Sequence, residues 1–174
     1  MNPRSDVSIA SVYDPHYGLQ LLLLLGFLIP AVLFLLTQHN TLRRVRRENR
    51  LMQPGLVWLQ LIPVFGNIWQ FFVIYRISGS IHKEFASWHE DTFFGPDAVI
   101  VQGTVPARPA RGIGIAYAVL DTVVILLSLA MDFVIGRPND DLLLGMIAWA
   151  TIICWIIYWV RLVQYKNKLK RVLG

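Results

Sequence analysis

Three stretches of this chain are long, apolar and nearly free of charge, and they decide which solvent it can fold in. Residues 18–37 (GLQLLLLLGFLIPAVLFLLT), 113–136 and 142–160 are each on the order of twenty residues. At about 1.5 Å of rise per helical residue, that is enough to cross a hydrocarbon core of roughly 30 Å. Composition agrees: 55% of the 174 residues are hydrophobic and 16% charged, where soluble proteins carry about 25% charged. Backbone polar groups in lipid must be satisfied within the spanning structure, so the reading is an all-α membrane protein, organised as one membrane domain over residues 1–174. The polar first eighteen residues and the lack of a small-x-small pattern after the first run lead us to expect a retained anchor rather than a cleaved signal. Pro30 should kink that anchor.

A fourth apolar run, residues 56–75 (LVWLQLIPVFGNIWQFFVIY), is ambiguous. Gln60, Pro63, Asn67 and Gln70 fall 3, 4 and 3 residues apart, one face of a continuous helix. Alternatively, Pro-Val-Phe-Gly-Asn is a turn between two half-helices, each too short to cross. The segment is then re-entrant or interfacial, giving three transmembrane helices plus one non-crossing element; the alternative is a four-helix transmembrane bundle. After it, Ile77, Ile81, Phe85 and Trp88 form a one-sided stripe, and residues 76–90 read as an amphipathic helix facing lipid or a partner. Glycines and prolines in 91–112 mark loop.

Charge separates the topologies. If residues 56–75 do not cross and the N-terminus is outside, fourteen of the sixteen Lys and Arg face the cytoplasm, as the positive-inside rule favours. A crossing segment leaves ten against six at best. Arg43, Arg44, Arg46 and Arg47 after the first span, and Lys166, Lys168, Lys170 and Arg171 in the basic tail 161–174, are the residues expected to meet anionic lipid of the cytoplasmic leaflet or a partner. Clusters placed beside apolar runs set orientation, so the net charge of +5 does not point to nucleic acid.

Two strings, NRLMQPGLVWLQLIPVFGNIWQFFVIYRISGSI at 49–81 and CWIIYWVRLVQYKNKL at 154–169, resemble a family of small bacterial multi-pass membrane proteins built on a domain of unknown function. The resemblance implies a bacterial inner-membrane setting and carries over no catalytic residue.

The sharpest candidates for chemistry are Asp121 and Asp132, eleven residues apart in the apolar run 113–136. That is about three turns, so both carboxylates share a face with Ser128. Intramembrane acids face a bundle interior or water and often mark ion paths, and Asn67 and Gln70 could line the same cavity. Such acids can equally join helices by hydrogen bonding. Arg76 and His82 have the R-x5-H spacing of helical ribonucleases, but spacing alone does not supply the convergent geometry that acid–base catalysis needs. Cys154 is the single cysteine, and His82 and His89 lack the i, i+4 spacing of helical metal sites. The expectation is a non-enzymatic membrane subunit or self-associating scaffold without metal or cofactor; the alternative is an oligomeric proton or cation pathway lined by the two acids.

Overall fold

A computed structural model describes residues 15–94, 110–131 and 142–173 of the chain. It contains four α-helices, α1 (Pro15–Arg44), α2 (Phe65–Phe94), α3 (Arg111–Ala130) and α4 (Leu142–Leu173), with a 3₁₀ turn at Arg47–Asn49 and a 3₁₀ helix at Pro54–Leu61. No strand occurs among the described residues. Three segments are long and apolar enough to cross a membrane: Leu25–Arg44, Arg111–Ala130 and Leu142–Lys170.

The helices run past the sequence boundaries where nothing breaks them. The first does not end at residue 37 but continues to Arg44, and Thr41 Oγ1 bonds back to the Thr37 carbonyl at 2.7 Å. The basic tail is the last part of α4 rather than a separate element, since no Gly or Pro interrupts it before Leu173. Asp132 and the expected turn 137–141 lie outside the described residues.

Residues 56–75 are not one helix, which corrects the four-helix alternative. The chain breaks at Ile62, Pro63 and Val64, between the 3₁₀ helix and α2. Proline cannot donate to a helix ladder and disfavours helical backbone in the residue before it. From Phe65, α2 then runs for 30 residues without a boundary at 75–76, merging the second half of the ambiguous run with the amphipathic stretch.

The chain packs as two units, residues 1–34 and 35–174. The described part of the first is helical from Pro15 and carries Pro30. Leu19, Leu22, Leu25, Phe27, Leu28 and Ile29 are exposed along it. In the second unit, the end of α1 and α4 run parallel, in register. Trp159 Nε1 donates to Thr37 Oγ1 at 3.0 Å, and Arg44 Nη1 donates to the Lys166 carbonyl at 3.0 Å; both pairs are separated by 122 residues.

α3 runs the opposite way. Its start at Arg111 stacks over the Tyr75 ring at 4.1 Å, while Asp121, further along, meets Gln70, nearer the start of α2. Gly114 permits this approach: a Cβ there would come within 2.7 Å of Ile74 and 2.8 Å of Tyr158. The core between them holds Val73, Ile74, Ile77, Ile81, Ala118, Tyr158, Leu162 and Leu169.

Candidate functional site

Polar side chains are buried in the second unit at two levels, one within the apolar segments and one at the end where the arginines cluster. At the first level, Gln70 Nε2 donates to Asp121 Oδ2 at 3.1 Å, tying α2 to α3. Gln60 Nε2 donates to Gln38 Oε1 at 2.6 Å and to the Val57 carbonyl at 3.1 Å. Gln38 is fully buried, and its Nε2 has no hydrogen-bond partner among the described residues. The Gln70–Asp121 and Gln60–Gln38 bonds each join elements distant in sequence, as polar side chains inside membranes commonly do.

At the second level, the segment after α1 is fastened onto α2 through Glu84. This carboxylate, 0% exposed, accepts from Arg46 N at 3.0 Å, Arg46 Nε at 3.1 Å and Asn49 Nδ2 at 2.7 Å. Ser87 Oγ accepts from Arg46 Nη2 at 3.2 Å and Asn49 Nδ2 at 2.9 Å. One turn back, Ser80 Oγ accepts from Leu51 N at 2.9 Å, and Arg76 Nη1 donates to the Leu51 carbonyl at 3.3 Å. A carboxylate without water is tolerated where paired charge and several donors replace its hydration, and this cluster meets that condition.

The sequence-derived candidates fare unevenly. Asp121 and Gln70 are brought together. Ser128 is half-buried in α3 and Asn67 half-buried in the first turn of α2, while Asp132 lies outside the described residues. Arg46, expected to face lipid or a partner, instead binds Glu84 because a buried carboxylate needs a cation. Arg44 donates to the Lys166 carbonyl within α4. Arg43, Arg47, Lys168 and Lys170 are exposed, and Lys166 is half-buried. The side chain of Arg171 lies outside the described residues. Arg76 of the R-x5-H pair is occupied by the Leu51 carbonyl and by the Phe72 ring, 4.7 Å away.

Sequence reasoning missed Glu84, Asn49, Ser80 and Ser87 as a set. A signal existed: Ser80, Glu84 and Ser87 are spaced 4 and 3 apart, a polar stripe on one helical face. It reads as a solvated surface until the arginine segment is known to lie on it. Among the described residues, no group of three His, Cys, Asp or Glu side chains is placed to hold a metal.

The fold is that of an all-α membrane protein, with three helices among the described residues long and apolar enough to cross a membrane. No protein-family profile, curated protein or solved structure matches the chain.

Proposed function

We propose that this protein is a non-enzymatic, multi-pass membrane subunit or self-associating scaffold of the bacterial inner membrane. The observation that carries this reading is the Gln70–Asp121 hydrogen bond. The acid within α3 is used inside one subunit to join two helices, the role expected of an assembling residue, rather than being left to line an axis between copies. Orientation follows from charge: with the N-terminus outside and the C-terminus cytoplasmic, the exposed Arg43, Arg47, Lys168 and Lys170 face the anionic cytoplasmic leaflet.

The test is reconstitution in proteoliposomes of phosphatidylcholine and phosphatidylglycerol containing a pH-sensitive dye. Under an imposed potential, the expected result is no proton flux above that of empty vesicles, with the wild type and Asp121→Asn indistinguishable. Flux that is present in the wild type and lost in Asp121→Asn would overturn the scaffold in favour of a conducting pathway.

A further inference from the structure

The turn between the 3₁₀ helix Pro54–Leu61 and α2 bears a surface that nothing among the described residues covers. Val64 is 79% exposed and Ile68 72%, and Leu61, Ile62 and Phe65 beside them are also exposed. We propose that residues 54–75 form a half-depth re-entrant hairpin, entering and leaving the bilayer through the arginine-bearing leaflet, with the turn at Val64 in contact with acyl chains near the midplane. This rests on the membrane setting of the proposed function but not on the scaffold role.

Helix directions require the same-side return. α1 and α4 are parallel in register, and α3 runs back against them. A chain that also crossed between α1 and α3 would deliver α4 antiparallel to α1. The two ends of the hairpin meet, since Arg76 donates to the Leu51 carbonyl, and the entering end is held beside α1, where His39 Nδ1 lies 3.1 Å from the Pro54 carbonyl oxygen.

Depth follows from the two arms. The 3₁₀ helix has 8 residues, about 14 Å from first to last at 2.0 Å per step. From Phe65 to Ile74, which packs beside Gly114 near Tyr158, α2 advances about 13.5 Å at 1.5 Å per residue. Each arm thus reaches at most about half of a hydrocarbon core of roughly 30 Å, too short to cross it.

The turn itself is built for hydrocarbon. Irregular backbone is tolerated there only if its polar groups are satisfied. Most of the turn's N–H groups are satisfied within it: Ile62 N donates to the Leu59 carbonyl at 3.2 Å, Phe65 N to Pro63 at 2.6 Å and Gly66 N to Ile62 at 2.7 Å, Pro63 has no N–H, and the Val64 N–H alone has no backbone acceptor among the described residues. Val64 has φ 62°, a left-handed conformation that in water-facing turns belongs to Gly, Asn or Asp. A β-branched apolar residue bears this strain at a fully projecting position, which suits a turn from which water is absent. Gly66 closes the hairpin: a Cβ there would collide with the Gln60 carbonyl.

The experiment uses the full chain with Cys154→Ala and single cysteines at the exposed positions Gln53, Val64, Ile68 and Lys83, reconstituted in phosphatidylcholine and phosphatidylglycerol vesicles. Spin labels at Val64 and Ile68 are expected to collide strongly with molecular oxygen and weakly with an aqueous nickel chelate, and those at Gln53 and Lys83 the reverse. An impermeant maleimide should reach Gln53 and Lys83 from the same side. Labelling from opposite sides, nickel access at Val64 and Ile68, or dipolar coupling between copies at Val64 without oxygen access would each overturn the hairpin, the last by putting a second copy in place of lipid. Proton flux would sink the scaffold reading and leave these accessibilities unchanged.

Discussion

Gln70 of α2 and Asp121 of α3 meet at 3.1 Å, so an acid in an apolar helix has its partner in the helix packed against it. Hydrogen bonds of this kind inside membranes average about 0.6 kcal/mol and reach about 1.7 kcal/mol. Asp121→Leu is expected to lower unfolding stability in mixed micelles within that range, and Asp121→Asn, which keeps an acceptor for Gln70, by less. A titration of the helical signal with sodium dodecyl sulfate measures the order; a larger loss for Asn than for Leu would contradict a joining role.

The Glu84 cluster should matter more. Removing one member of a wholly buried ion pair costs about 3–5 kcal/mol, and the cost here should fall below that, because the Arg46 side chain is 34% exposed and also lies 3.9 Å from Glu48. Glu84→Ala removes the carboxylate that accepts from Arg46 N, Arg46 Nε and Asn49 Nδ2, leaving Ser87 Oγ as the acceptor for Asn49, and is expected to loosen the 46–51 segment from α2. Protease sensitivity at Arg46, Arg47 or Arg50 in detergent should rise in Glu84→Ala and stay low in Lys83→Ala, whose side chain is exposed one residue away.

Gly114 should not tolerate a side chain. A Cβ would press on Ile74 and Tyr158, and overpacking of this kind costs about 1–3 kcal/mol. Gly145→Ala is the control: nothing lies within 4 Å of its Cβ, and a helical Gly-to-Ala change gains about 0.5–1 kcal/mol. The two variants should move the thermal midpoint in opposite directions.

Gly66→Ala tests the closure of the hairpin. The clash is with backbone rather than a flexible side chain, so the 3₁₀ helix and α2 must separate. Gly55→Ala, with open space around it, should leave the fold unchanged. Fluorescence of Trp69, whose Nε1 donates to the Leu56 carbonyl at 2.8 Å across the hairpin, is expected to shift in the first variant only, read in chains whose other five tryptophans are replaced by Phe.

By itself the sequence determined the solvent and the existence of the apolar helices, but not their ends. The runs at 18–37, 113–136 and 142–160 led to the expectation of helices in a bilayer, because uncharged length and backbone satisfaction admit little else. Pro63 offered a break as one of two readings, the other being a continuous polar-faced helix. Only the tertiary structure decided which polar residues matter and which way each helix runs. Glu84 and its neighbours look like solvent-facing residues until Arg46 and Asn49 fold back onto them, and pairing is a property of two segments that no local pattern encodes. Likewise, charge counting favoured a non-crossing 56–75, but the Thr37–Trp159 and Arg44–Lys166 contacts set α1 and α4 parallel. Direction is a relation between distant elements, fixed by packing rather than by periodicity.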